Sequence, residues 1–151
     1  MERQEMSQNQ YKSEQQTKNS TDTQQKEKNK NFDYPAYFKK VQAQITQTDY
    51  PTAKRGLSED IIKKYGLGFD PNYKVYNPDT EQWEEWKALI IPTGPESFVA
   101  RNTDPNAQNK QRIRKQGKSK LFNEKALKEA QSPIVIVEGE IDALSVIDVG
   151  G

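Results

Sequence analysis

Two acids and a run of bases are the residues of this chain whose types and spacing could do chemistry. Glu138 and Asp142 lie four apart in Val137-Glu138-Gly139-Glu140-Ile141-Asp142. Across a strand-to-helix turn, both carboxylates could approach one divalent cation, and hard oxygen ligands suit Mg²⁺ or Mn²⁺. A pair alone leaves a near-octahedral ion short of ligands. The same spacing also fits an acid that caps a helix, Glu138, followed by a solvated helical acid, Asp142. The bases Arg101, Lys110, Arg112, Arg114, Lys115, Lys118 and Lys120 face a single acid, Asp104, in residues 101–120. Arginine grips phosphate bidentately and lysine supplies a point charge, so a flexible basic loop there suits a phosphate backbone. A solvated surface loop has the same composition. Arg55-Gly56 precedes a helix start, whose free N–H groups and positive dipole end attract anions; an exposed loop arginine is the plain alternative.

What the chain lacks narrows the chemistry further. It has no cysteine and no histidine, which excludes disulfides, thiolate zinc sites and an imidazole base. Any metal is left to carboxylates. Apolar residues are 32% of 151, and the mean hydropathy is −1.10. Both are low for a packed domain, so part of the chain adds nothing to a core. Residues 1–31 are mostly Gln, Asn, Ser, Thr, Lys and Glu, and are expected to be a disordered tail or linker. No run is long and apolar enough for a membrane helix or a signal peptide. A cytoplasmic protein with no membrane partner is the expectation.

The elements that must position these groups start near Phe32. Tyr34, Tyr37, Phe38, Val41 and Ile45 recur at helical spacing and predict a helix to about Gln47, its aromatic stripe facing a core. Tyr50-Pro51 begins a loop. Ser58 is suited to cap a second helix, with Glu59 and Asp60 in its first turn, Ile61, Ile62 and Tyr65 inward, and Gly66 at its end. Residues 70–82 read as a polar loop. Strands at 86–91 and 97–101, joined through Pro92-Thr93-Gly94-Pro95, predict a hairpin. Residues 102–120 carry no helical or strand period. A short helix is expected at 122–130. Ile134-Val135-Ile136-Val137 then predict a strand buried on both faces, and 140–148 a helix. Glu138 would thus sit at the carboxyl end of a strand, where open α/β sheets hold ligands. The order predicts an α+β (α/β) domain: helices, an antiparallel hairpin, then the first β-α unit of another fold.

Four segments in this order resemble the catalytic core of bacterial-type DNA primases. Arg55-Gly56-Leu57-Ser58 through Leu67-Gly68-Phe69 resembles the segment that opens that core. Ala88-Leu89-Ile90-Ile91-Pro92 with Phe98-Val99-Ala100-Arg101 resembles its next hairpin. Lys118-Ser119-Lys120-Leu121-Phe122-Asn123 resembles the basic segment and aromatic turn before the Toprim domain. Val135-Ile136-Val137-Glu138-Gly139 through Leu144 resembles the first Toprim motif. The resemblance covers about residues 34–151, and is greatest to the shorter primase-like proteins of phages and mobile elements.

The resemblance implies a division into a tail, 1–31, a core N-terminal subdomain, 32–131, and the start of a truncated Toprim domain, 132–151. It implies RNA-primer synthesis on single-stranded DNA in DNA replication, with nucleoside triphosphates as substrates and a replicative helicase as a partner. Arg55 and Arg101 match basic residues lining the template groove. Some of Arg112, Arg114, Lys118 and Lys120 match residues that contact nucleic acid or the incoming nucleotide. Glu138 matches the Toprim glutamate, a metal ligand or general acid/base. The family's zinc-binding domain is absent, the loop between Phe69 and Trp83 is shorter than in replicative primases, and the Asp-x-Asp motif would lie downstream of Gly151. One or two carboxylates cannot build the two-metal clamp of phosphoryl transfer, so these residues alone should be inactive. A non-catalytic nucleic-acid-binding module and a different Toprim enzyme, such as a nuclease, are the competing expectations.

Overall fold

Four antiparallel strands pair in chain order: β1 (Gly68–Asn77), β2 (Gln82–Gly94), β3 (Ser97–Asn102) and β4 (Ile113–Gly117). The structure is a computed structural model that describes residues 32–118, 121–131 and 133–150. It divides into two units, Met1–Asp33 and Tyr34–Gly151. The strands and helices described belong to the second unit; the expected tail at 1–31 lies outside the described residues. The helices are α1 (Tyr34–Ala43), α2 (Glu59–Lys64), α3 (Lys125–Glu129) and α4 (Glu140–Asp148), with 3₁₀ turns at Ile45–Gln47 and Asn109–Gln111 and a π-helical turn at Tyr50–Lys54. The fold is α+β.

Residues opposite one another in an antiparallel ladder share a face, so the register separates the two sides. Ile90 pairs with Ala100, Pro92 with Phe98, and Tyr73 with Trp86. This face meets α1, and its centre is aromatic. The Phe98 ring stacks on Tyr37 at 5.2 Å and meets Tyr34, Phe38 and Tyr73 at 6.1–6.3 Å in edge or T-shaped contacts. Leu89 pairs with Arg101 and Ile91 with Val99 on the opposite face. There the core is aliphatic: Leu89, Ile91 and Val99 cluster with Leu57, Ile61 and Ile62 around α2 and with Ile141 and Leu144 of α4.

Local sequence explains the short α2. Ser58 Oγ accepts from the Ile61 N–H, and the acids of the first turn and lysines of the last complement the dipole. Gly66 ends it at φ +63°, where a side chain is strained, and its carbonyl accepts from Gln42 Nε2 of α1 at 3.1 Å. The carboxyl end of α4 is tied to the same cap. Asp148 accepts from the Ser58 N–H at 2.7 Å and from Ser58 Oγ at 2.5 Å.

Several expectations are corrected. The first helix ends at Ala43 and passes into a 3₁₀ turn. Residues 70–82, read as a loop, hold most of β1; a bulge between Asp70 and Tyr73 carries Pro71, which the ladder cannot otherwise accept. Residues 113–117, read as part of a flexible loop, form β4 against β3. Gly117 makes that pairing possible. It sits at φ +84°, and a Cβ there would lie 2.0 Å from the Glu96 carbonyl oxygen. The strand expected at 134–137 does not form. Ile134, Val135 and Ile136 are 47%, 64% and 84% exposed, because no neighbouring strand among the described residues takes up their backbone groups. Of the β-α unit, only the helix is present.

Candidate nucleic-acid interface

Tyr50 brings two of the expected basic residues together. Arg55 Nε and Arg101 Nε each donate to the Tyr50 hydroxyl oxygen at 3.0 Å. The Arg55 guanidinium also lies over the Tyr50 ring, 5.4 Å from its centroid. Arg55 follows the π-helical turn, and Arg101 is the fifth residue of β3. The turn is held by Ala53 N–H to the Asp49 carbonyl at 2.7 Å and Leu57 N–H to the Pro51 carbonyl at 3.0 Å. Pro51 and Leu57 are buried, so the segment is anchored at both ends. Arg101 shares its face with Leu89 and is half-buried against the aliphatic side of the sheet.

The electrostatics follow from this arrangement. Burial alone would raise the Tyr50 phenol. The hydrogen bonds and charges of Arg101 and Arg55 outweigh it and bring the phenol below its ordinary value. Among the described residues, neither arginine forms an ion pair. The two cations therefore meet at a neutral oxygen, and their positive charge is uncompensated locally.

The remaining bases separate by face. Lys115 pairs with Val99 in register, on the side of Arg101, and its Nζ lies 3.8 Å from Glu140 Oε1 at the start of α4. This links the edge strand to the helix that follows Glu138. Arg114 pairs with Ala100 on the opposite face, where its guanidinium lies 5.2 Å from the Trp86 ring centroid. Arg112 Nε donates to the Ala107 carbonyl at 2.9 Å. Asn102 N–H and Nδ2 bond to the carbonyls of Arg112 and Gln111, so the connection from β3 to β4 is pinned rather than a loose loop. Lys110 pairs with Asp79 at 3.2 Å on the exposed surface. Lys118 is exposed just beyond β4; Lys120 lies outside the described residues.

Glu138 and Asp142 are both exposed. Gly139, not Glu138, is the N-cap of α4, and no side chain caps that end. The capping role is therefore not the one Glu138 takes. Asp142 folds back toward the turn: its Oδ2 would lie 3.1 Å from a Cβ on Gly139. By donor type the two carboxylates fit a hard cation such as Mg²⁺ or Mn²⁺. Among the described residues, no third acid gathers with them, so the pair alone would fill only part of a coordination shell.

Sequence reasoning did not find Tyr50. It lies five residues before Arg55 and 51 before Arg101, spacings that match neither helix nor strand periodicity. The only local signal is a tyrosine beside a proline, just ahead of a basic pair. A cleft of about 780 Å³ shares the same turn, lined by Asp49, Pro51 and Thr52 with Glu59, Lys63 and Lys87. No described helix is long and apolar enough to cross a membrane.

No family model matches the sequence, and no curated protein matches it significantly. A solved structure of the DnaG catalytic core matches the fold with a TM-score of 0.53 and 16% sequence identity. The match covers 78% of this chain and 50% of that one, so the chain spans about half the length of the structure it resembles. At this identity the likeness is one of fold.

Proposed function

We propose that this chain is part of a primase-like nucleotidyltransferase, of the shorter kind found in phages and mobile elements, and that it binds single-stranded DNA template and nucleoside triphosphates. The likeness of fold to the DnaG catalytic core is the observation that carries this reading. The arginine pair at Tyr50 supports it, because uncompensated guanidinium charge held between a strand and an anchored turn is suited to phosphate. Arg55 and Arg101 are assigned to the nucleic-acid backbone. Lys115 and Lys118 extend the same surface from the edge strand, with Arg112 at its start, and Lys120 is assigned to nucleic acid by residue type alone. Arg114, on the other face, reaches nucleic acid only if the strand wraps the sheet edge. Glu138 is assigned as the catalytic carboxylate. Glu138 and Asp142 would contribute two oxygen ligands to Mg²⁺ or Mn²⁺, which in phosphoryl transfer neutralises developing charge on phosphate oxygens. A replicative helicase is the proposed protein partner.

Titration of labelled single-stranded DNA at several salt concentrations tests the binding role. Arg55→Ala/Arg101→Ala and Arg101→Ala/Lys118→Ala should each weaken binding and flatten the salt dependence by about one to two phosphate contacts. Affinities equal to that of the unaltered chain would overturn the assignment.

A further inference from the structure

Tyr50 joins two cations from separate elements through one atom. Both Nε–H groups reach the same phenol oxygen at 3.0 Å. A hydroxyl oxygen has two lone pairs, and these two donors use both. Its own O–H is then left to donate elsewhere. Each guanidinium keeps its two Nη groups, which have no partner among the described residues. Holding like charges against a neutral oxygen is unfavourable on its own, and an exposed arginine gains little from a phenol. The ring beneath Arg55 adds a second constraint, at 5.4 Å from its guanidinium carbon. What the arrangement provides is two forks fixed in relative position, with their free edges available to an anion. Fixing them beforehand removes part of the side-chain entropy that binding otherwise costs.

We propose that Tyr50 is a positioning residue that holds Arg55 and Arg101 as a paired clamp for one phosphate group. The inference rests on the proposed nucleic-acid binding and names the residue that organises its central contact. The phosphate is either a backbone phosphodiester of single-stranded DNA or a phosphate of a nucleoside triphosphate. Both present the same tetrahedral oxygens to the forks.

The test measures binding of two probes, an unstructured oligodeoxynucleotide and inorganic triphosphate, by the full chain and its variants. Tyr50→Phe keeps the ring and its packing and removes only the oxygen. It should weaken binding about 5- to 10-fold, the loss of one charge-assisted hydrogen-bonding centre. Combined with Arg55→Ala/Arg101→Ala it should add almost nothing, since the residues act as one unit. Phenol absorbance supplies a readout that a packing role would not move. Probe binding should raise the pH at which Tyr50 ionises, and that change should vanish in Tyr50→Phe. Loss with the oligonucleotide alone assigns the clamp to the backbone; loss with triphosphate alone assigns it to the nucleotide. Tyr50→Phe binding both probes at full strength, while the double arginine variant does not, overturns the clamp and leaves the binding function standing. No binding of either probe by the unaltered chain overturns both. Should Tyr50→Phe fail to fold, Arg55→Lys serves instead. It keeps the charge and loses the fork, so unchanged affinity there would equally overturn the proposal.

Discussion

The two faces of the sheet are built from different materials and carry different burdens. The face under α1 is aromatic and closed. Phe98 is 1% exposed at the centre of four other rings, and the Tyr37 hydroxyl donates to Asp70 Oδ2 at 2.8 Å. The face under α2 and α4 is aliphatic at its centre and cationic at its margin, where Arg101, Arg55 and Lys115 gather. Large rings fill volume with few torsions to freeze, which suits a face whose task is to hold one helix in place. Branched aliphatics let two short helices and a turn converge, and leave long charged side chains free to reach past them. One sheet thus has a closed aromatic side and a side whose margin carries the charge.

Breaking the aromatic side should have the largest effect. Phe98→Ala removes a ring with no space to collapse into and should cost about 4 kcal/mol in chemical denaturation. Leu144→Ala, on the aliphatic side, should cost about 3 kcal/mol. A negligible loss there would mean that α4 is not part of this core. Ser58→Ala removes the cap of α2 and its tie to Asp148 together, for about 1–2 kcal/mol; Asp148→Asn should cost less, because the cap itself survives.

Alkaline pH separates the faces by sign. Burial, reinforced by Asp70, pushes Tyr73 up to about 12. Burial and the hydrogen bond to Asp70 push Tyr37 upward as well. An unfolded tyrosine ionises near 10.0, so the unfolded chain gives up these protons first and stability falls as pH rises from there toward about 12. Tyr50 is depressed and works in the opposite direction, adding stability as pH rises through its folded value. In urea titrations Tyr73→Phe should shrink the loss across that window, whereas Tyr50→Phe should remove a gain that lies below it, as pH approaches 10.0. The smallest effect belongs to neither face. Lys110→Ala breaks an exposed pair with Asp79 and should change stability by less than about 0.5 kcal/mol.

What was legible in the sequence is what local chemistry dictates. Ser58, the acids after it and Gly66 announce α2 without help from the rest of the chain. The hairpin announces itself through two apolar runs and the turn Pro92-Thr93-Gly94-Pro95. β1 was hidden because Asp70, Pro71 and Asn72 are turn residues that a bulge absorbs. β4 was hidden because Ile113-Arg114-Lys115-Gln116 has little apolar content, and its pairing with β3 is decided by tertiary contact. The reverse error occurred at Ile134-Val135-Ile136-Val137, where composition favours a strand but no partner strand is present among the described residues. Arg55 and Arg101 were readable as candidate phosphate ligands from residue type. Their meeting at Tyr50 was not, since only the fold brings residue 101 to residue 50.

The π-helical turn at Tyr50–Lys54 has a consequence for how such a chain can vary. In an ordinary α-helix, residues five apart point about 140° away from each other. Here Arg55 closes the turn through its N–H to the Thr52 carbonyl, and its guanidinium returns over the ring of Tyr50. Between those two positions the number of residues is what must be kept, while Thr52, Ala53 and Lys54, all exposed, are open to exchange. Drift in this segment should therefore proceed by substitution and not by insertion or deletion: a single added residue would leave every side chain of the clamp in the sequence and take the clamp apart.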